Sequence, residues 1–298
     1  MNRPRLEIAL VGDSLSTSFY AGNTPGMLWR AHLCRGRNWF LDETGKIDSV
    51  VTRLRQNWDV IPFHLARVSA RVDHPSERRK ILHYFTGIVS LSGQLARIFR
   101  LPRLPDCILL WIGHNNVDWA RRLPGAGSEM KLLTRVASQF RLNYKANLAN
   151  LLERAKLENR RISVCVFGLI NFTAFFTARE AMEQARKKDP ALYTSLESAF
   201  RTFPSMRFEH RANMITLSKM MNFHLEGLIA EFAASLQGTP IRLFYSDAFA
   251  TAPLTGPDNY SQWDAWHPSK LGHKRLASAA WEHLSPYLAD VLSEIPKA

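Results

Sequence analysis

The stretch LEIALVGDS, at residues 6–14, decides the fold because it joins a buried strand to a tight polar turn. Its first six residues predict a short buried strand. Gly12 ends that strand, and Asp13 and Ser14 are residues that favour turns. A serine placed just past a buried strand can present its hydroxyl and its backbone N–H to a ligand. Ser14 is therefore the first candidate functional residue.

Four further apolar stretches predict strands, at residues 60–68, 107–112, 162–168 and 241–245. Helices are expected at 49–56, 131–159 and 271–292, with a loop followed by a helix over 71–105. Strands that alternate with helices in this way predict an α/β fold, a three-layer α/β/α sandwich around a mostly parallel five-stranded sheet. We expect a single domain over residues 1–298, with a mostly helical insertion at about 172–236.

Composition excludes several classes of protein. The 298 residues are 46% hydrophobic and 22% charged, which is ordinary for a soluble globular chain and not for a disordered one. No segment approaches the roughly 18 uninterrupted apolar residues of a membrane-spanning helix. No secretory signal is visible, so we expect either a cytoplasmic protein or one whose leader has been removed. Cys34, Cys107 and Cys165 are too few and too widely spaced for a disulfide framework or a metal knuckle.

The charge balance is strongly basic. With 39 Lys and Arg against 26 Asp and Glu, the formal net charge is +13. Such a surface concentrates anionic partners, whether phospholipid headgroups, acidic glycans or nucleic acid. The basic residues are scattered, however, and no helix-turn-helix, zinc-finger or RNA-recognition pattern accompanies them. We therefore do not expect nucleic acid to be the main partner.

A second candidate lies near the other end of the chain, where Asp264 precedes His267 by three residues. Such an aspartate can accept the imidazole Nδ1–H, which leaves Nε2 to take a proton from a serine. Pro268 restricts His267 to extended geometry and predicts a shaped loop. The alternative is an ordinary turn that carries a solvated histidine.

A third candidate follows the strand at 107–112, in the block Gly113-His114-Asn115-Asn116. A side-chain amide at the end of a strand can donate to a developing oxyanion, which is worth about 3–4 kcal/mol in a serine protease. The alternative is that Asn115 or Asn116 caps a helix. His114 could contact substrate, although a histidine beside such a donor more often braces the loop.

Together the three blocks resemble the SGNH hydrolase superfamily, the GDSL-type esterases and lipases, from residue 6 to about residue 284. The resemblance implies a flavodoxin-like SGNH fold, with Ser14 as nucleophile, His267 as base and Asp264 as the residue that orients the base. It also implies an oxyanion hole made by the backbone N–H groups of Ser14 and Ala70 and by the Asn115 side chain. No metal or organic cofactor is expected.

Two positions depart from the family pattern. Ala70 stands where the family usually has an oxyanion-hole glycine, and alanine would be strained there if the position required a positive φ. The stretch at residues 90–93, Ser-Leu-Ser-Gly, is a rival match that follows a helical pattern. Asn116 stands where members often have aspartate, and we expect it to brace the loop.

The resemblance predicts an esterase that hydrolyses a carboxylic ester through an acyl-enzyme on Ser14. Acyl transfer to an alcohol would use the same residues, and an inactive binding protein could keep the same fold. The expected partner is a small-molecule ester, and the basic surface slightly favours an anionic lipid or acylated glycan. The aromatic stretch at 171–176 could form a lid or an acyl-binding wall, or a helix packed on the core.

Overall fold

The computed structural model describes residues 3–17, 36–73, 90–122, 129–189, 208–261 and 265–292. Its centre is one sheet of five parallel strands in the order β2-β1-β3-β4-β5. The strands are β1 (Arg5–Gly12), β2 (Asp59–His64), β3 (Cys107–Trp111), β4 (Ile162–Phe167) and β5 (Ile241–Ser246). The predicted parallel five-stranded sheet is therefore confirmed.

Burial explains which strands are central. Every residue of β3 and β4 is buried, and β1 is buried from Leu6 onward. Apolar runs of this kind are needed where helices cover both faces of a parallel sheet. Strand β2 lies at the edge and tolerates Pro62. It ends at His64 and not at residue 68, although the Leu65 N–H still donates to the β1 carbonyl of Leu10.

Eight helices are found in the described residues. They are α1 (Val50–Leu54), α2 (Leu91–Ile98), α3 (His114–Val117), α4 (Glu129–Glu158), α5 (Phe172–Lys188), α6 (Phe208–Ser235), α7 (Ala248–Thr251) and α8 (Lys270–Leu292). Helix α1 packs against α8, whereas α2 and α6 both pack against α4. These two groups cover the sheet and complete the three-layer arrangement. None of the helices within the described ranges is both long and apolar enough to cross a membrane.

Helices α5 and α6 fall within the region predicted to be a mostly helical insertion, and residues 190–207 between them lie outside the described residues. Helix α6 packs along α4 and β5. Arg141 and Lys145 of α4 both form ion pairs with Glu231 of α6. The assignment of this region as an insertion in a single domain stays a prediction.

The thiols of Cys107 and Cys165 lie inside the sheet core. Burial raises the pKa of Cys107 to about 12 and raises that of Cys165 well above its usual value. Because the thiolate is the reactive form, both cysteines act as small apolar side chains. Cys34 lies outside the described residues.

Candidate active site

Ser14 opens a tight turn at the carboxyl end of β1. The turn is a single 3-10 segment, Ser14–Ser16, and the Asp13 side chain caps it by accepting from the Leu15 N–H. The Thr17 N–H and hydroxyl both donate to the Ser14 carbonyl, at 3.1 and 2.8 Å. Ser14 is buried, with 5% of its surface exposed. The turn therefore holds the serine backbone from both sides.

Gly12, which precedes this turn, has room for no side chain. A Cβ at this position would lie 2.7 Å from the Ser16 hydroxyl oxygen and 3.0 Å from the Trp111 carbonyl oxygen. Its peptide groups are held by Gln94 of α2, whose Oε1 accepts from the Gly12 N–H at 2.9 Å and whose Nε2 donates to the Gly12 carbonyl at 2.8 Å. Sequence reasoning missed Gln94. The feature that could have identified it is a glutamine at helical spacing from Leu91, Leu95 and Ile98, on the buried face of α2.

Asp13 joins the first block to the third. Its Oδ2 accepts from the backbone N–H groups of Gly113 and His114 and lies 2.8 Å from the His114 Nδ1. The Ile170 N–H points at the other ring nitrogen, Nε2, at 3.3 Å. Since a backbone N–H can only donate, Nε2 accepts and the ring proton lies on Nδ1, facing Asp13. His114 is buried and braces the loops after β1, β3 and β4.

Ala70 and Asn115 lie together, at the ends of β2 and β3. The Asn115 Nδ2 donates to the Ala70 carbonyl at 2.9 Å. The positive φ in this loop falls on Ser69, at 61°, and not on Ala70, so the alanine is not forced into the left-handed region. The Ala70 N–H donates to the Arg67 carbonyl at a long 3.2 Å, and it must share or release that bond to reach an oxyanion.

The rival stretch at residues 90–93 starts a helix. Ser90 is the N-cap of α2, and its hydroxyl faces the Gly93 N–H. The Leu91 N–H donates to the Arg71 carbonyl, so this helix begins beside the loop that carries Ala70.

His267 is held by a narrow two-stranded loop. The Ser261 N–H donates to the His267 carbonyl, the Ser269 N–H donates to the Asn259 carbonyl, and both distances are 2.8 Å. An isolated bridge pairs Tyr260 with Pro268. His267 is 6% exposed. Its proposed partner Asp264 lies outside the described residues.

The same loop contains a strained residue and an aromatic support. Ala265 has φ 49°, which a residue with a Cβ adopts only when its surroundings impose it. Trp266 packs edge-on against Phe175, at 4.9 Å between ring centroids, and against Phe172 at 6.0 Å. Phe172, Phe175 and Phe176 are buried. Of the two predictions for residues 171–176, the helix packed on the core is the one the structure shows.

His273 links the C-terminal loop to the turn that starts at Ser14. It lies in the first turn of α8 and is fully buried. Burial, with the nearby His267 as a smaller cause, lowers its pKa to about 3, while a backbone group of Thr17 opposes the shift. His273 thus lies near both Thr17 and His267, and it stays uncharged at neutral pH.

The predicted residues therefore follow the carboxyl ends of different strands, which is where parallel α/β sheets place their ligand sites. Ser14 follows β1, Ala70 follows β2, Asn115 follows β3 and His267 follows β5. Within the described ranges, no group of three or more His, Cys, Asp or Glu side chains could hold a metal ion. The polar groups present suit proton transfer and oxyanion binding.

Several solved structures are similar to this chain at low sequence identity. They include the psychrotrophic esterase EstA from Pseudoalteromonas sp. (11% identity, TM-score 0.46, covering 95% of this chain and 98% of that one). The lipase Lip_vut3 from a goat rumen metagenome has 17% identity and a TM-score of 0.49, over 93% of this chain and 96% of that one. Phospholipase A1 from Streptomyces albidoflavus NA297 has 11% identity and a TM-score of 0.47, over 98% and 99%.

No curated protein sequence matches the chain significantly. The family model for GDSL-like Lipase/Acylhydrolase matches residues 8–280, which is nearly the whole chain and includes the blocks around Ser14, Asn115 and His267. The chain belongs to the GDSL-like lipase/acylhydrolase family, and is a hydrolase that acts on ester bonds.

Proposed function

We propose that the protein is a serine esterase that hydrolyses a carboxylic ester through an acyl-enzyme on Ser14. The observation that carries the proposal is that Ser14 and His267, two buried polar residues, both lie in loops that follow the carboxyl ends of parallel strands, as do the hydrogen-bonded Asn115 and Ala70. The closeness of the two loops is supported by His273, whose pKa responds both to a backbone group of Thr17 and to the ring of His267.

In the first half of the reaction, the Ser14 Oγ attacks the ester carbonyl carbon and its proton passes to Nε2 of His267. The tetrahedral intermediate then breaks its bond to the alkoxy oxygen. That oxygen takes the proton from His267 and leaves as the alcohol. In the second half, water gives a proton to His267 and attacks the acyl carbon, and Ser14 is released with its proton restored.

Asp264 is proposed to accept the Nδ1–H of His267, which would keep Nε2 free for the proton transfer and stabilise the imidazolium that forms. Ala265, the residue that follows it, adopts φ 49°. The loop conformation at Ala265 is therefore tightly specified, as orienting a carboxylate would require.

The oxyanion is proposed to be held by the Ser14 N–H, the Asn115 amide and the Ala70 N–H. One hydrogen of the Asn115 amide is used in the bond to the Ala70 carbonyl. The other can donate to an oxyanion, and the first bond fixes the plane of the amide beforehand. Preorganised donors of this kind are worth about 3–4 kcal/mol each in transition-state stabilisation.

The test is labelling with a fluorophosphonate probe, followed by intact-mass measurement and mapping of the modified residue. Wild type should gain one adduct on Ser14, and both Ser14→Ala and His267→Ala should lose it. Ser235→Ala and His283→Ala are matched controls, since these residues are exposed and lie far along α6 and α8. Their labelling should equal that of wild type.

The absence of any adduct between about pH 6 and pH 9, where a histidine base is neutral for part of the range, would contradict the proposal. An adduct on a serine other than Ser14 would also contradict it. The absence of an adduct would favour the binding-protein interpretation of the same fold, whereas an adduct on another serine would assign the nucleophile to that residue.

A further inference from the structure

A cavity of about 300 Å³ opens beside the proposed oxyanion residues. We propose that this cavity binds a negatively charged, partly apolar substituent of the ester substrate. The inference rests on the proposed function, and it adds a substrate class to it. The cavity is lined from the loop after β2, from the loop after β3 and from the first half of α4.

The cavity adjoins the residues proposed for the oxyanion hole, because two of its lining residues are their direct neighbours in the chain. Arg71, which lines it, follows Ala70, and Asn116, which also lines it, follows Asn115. Phe140 forms part of the wall from α4, and a Cβ on Gly113 would lie only 2.9 Å from the Phe140 ring. A group bound here would therefore lie beside the residues proposed to hold the oxyanion, where a substituent of the substrate could extend.

The charge of the lining is positive. Among the described residues that line it, Arg71 and Arg135 contribute cations and Asp73 contributes a carboxylate. Asp73 already accepts from Arg71 at 3.2 Å and from the Asn116 Nδ2 at 2.7 Å. No ion pair with Arg135 occurs among the residues that the structure describes, so its charge is left for a ligand. The lining therefore favours an anion.

Four apolar side chains also line the cavity and would accept a hydrocarbon segment: Trp119, Leu132, Val136 and Phe140. The amides of Gln139 and Asn143 complete the lining from α4. The loops after β2 and β3 are tied together at this cavity, because the Asn116 Oδ1 accepts from the Val72 N–H at 3.0 Å while its Nδ2 donates to Asp73. A ligand with a short apolar segment that ends in a carboxylate or phosphate satisfies both the arginines and these apolar side chains.

The anionic group could belong to the acyl chain or to the alcohol. Two matched pairs of esters separate these sources. In the first pair, mono-p-nitrophenyl adipate carries a charge on its acyl chain and p-nitrophenyl hexanoate is its neutral partner. In the second pair, 4-acetoxybenzoate carries the charge on the leaving group and phenyl acetate is its neutral partner. The quantity to compare is the ratio of kcat/KM for the anionic ester to that for its neutral partner.

The ratio should fall about fivefold in Arg135→Gln for one of the two pairs, the size expected of one ion pair at a partly solvated site. It should fall further in Arg135→Glu. The matched control is Arg154→Gln, which removes one charge from the same helix about 28 Å away and should leave the ratio unchanged. Raising the salt from about 0.05 to 0.5 M should lower the wild-type ratio, and should lower it less in Arg135→Gln, which keeps only Arg71.

Fluorophosphonate labelling of each variant distinguishes a failure of this inference from a failure of the proposed function. If Ser14 is labelled but Arg135→Gln leaves both ratios unchanged, or Arg154→Gln lowers them equally, the cavity does not select anions and the inference is wrong. If Ser14 is not labelled in wild type, the proposed function is wrong and the inference falls with it. A mainly structural role of Arg135 would slow both esters of a pair equally and would leave the ratio unchanged.

Discussion

The Nδ1 of His114 lies 2.8 Å from the Oδ2 of Asp13, and both side chains are almost completely buried. The same carboxylate oxygen accepts from the backbone N–H groups of Gly113 and His114, while its other oxygen caps the turn at Ser14. One side chain therefore fixes the position of the proposed nucleophile relative to the loop that carries Asn115. The aspartate of the first block has a positioning role in this fold.

His114→Ala should lower the free energy of unfolding by about 3 kcal/mol, because it removes one partner of a buried, hydrogen-bonded pair. It also leaves the Ile170 N–H without its acceptor. In the same variant kcat for an ester should fall more than KM rises, since the loop carrying Asn115 loses its support. Urea unfolding and steady-state kinetics measure the two effects.

His283→Ala is the control for this substitution. His283 is 40% exposed, and its ring lies 3.6 Å from Asp247. It should change stability by less than about 0.5 kcal/mol. An equal loss of unfolding free energy in His114→Ala and His283→Ala would mean that the pair between His114 and Asp13 does not stabilise the fold.

Asn116→Asp should destabilise the fold in a pH-dependent way. The substitution would place a second carboxyl 2.7 Å from the Asp73 Oδ1, and two carboxylates so close cannot both ionise without cost. One of them would keep its proton to a higher pH in the folded state than the usual value of about 3.9. The variant should therefore match wild type most closely near pH 4 and lose stability relative to it, by about 1–2 kcal/mol, as the pH rises to 7.

The reversed pair, Asn116→Asp with Asp73→Asn, tests the cause. It restores one amide and one carboxylate at the same contact, so most of the neutral-pH stability should return. If the double variant is as unstable as Asn116→Asp, repulsion between the carboxylates is not the reason. The contact explains why asparagine suits position 116 in this chain.

Gly272→Ala should displace the loop that holds His267. A Cβ at this position would lie 2.1 Å from the Asn259 carbonyl oxygen, which accepts from the Ser269 N–H. Backbone cannot move away as easily as a side chain, so we expect a loss of about 2–3 kcal/mol in stability and a larger than tenfold fall in activity. Chemical unfolding and ester hydrolysis provide the measurements.

Gly227→Ala is the matched control within a helix. A Cβ at Gly227 meets nothing within 4 Å, and alanine favours a helix interior over glycine. This variant should gain about 0.5–1 kcal/mol and keep full activity. Equal losses in the two glycine variants would show that the contact with Asn259 is not responsible.

His273 should make the fold less stable in mild acid. Burial lowers its pKa to about 3 in the folded protein, whereas in the unfolded chain it is about 6.5. Between these values the unfolded state binds the extra proton, so stability is full above about pH 6.5 and is lost as the pH falls toward 3. The slope from this residue should reach roughly 1 kcal/mol per pH unit.

His273→Leu should flatten the dependence of the unfolding free energy on pH between about 3 and 6.5. Denaturant titrations at several pH values measure the slope in each protein. His283→Leu serves as the control for introducing a leucine on α8. An unchanged slope in His273→Leu would mean that other groups cause the acid sensitivity.

Local patterns in the sequence were sufficient for the fold. Buried parallel strands have continuous apolar runs, and the runs ending near Gly12, Gly113 and Gly168 correspond to β1, β3 and β4. The three blocks that suggest chemistry are also local, since each lies within a few residues of a strand or helix end. The family match over residues 8–280 agrees with this interpretation.

The supports of the site depend on contacts across the chain, and sequence periodicity cannot reveal these. Asp13 and His114 are 101 residues apart, and Gln94 reaches Gly12 across 82 residues. Nothing within either local stretch indicates these partners.

Backbone geometry was the second property that only the tertiary structure decided. The sequence leaves open whether Ala70 would be strained, and the structure shows that Ser69 takes the positive φ instead. The ends of the strands depend on only a few neighbouring residues, so they can be predicted from the sequence alone. Which loop residue takes a strained backbone conformation, and which polar groups pair, depend on how distant segments pack. These features are therefore decided only when the sheet brings the loops together.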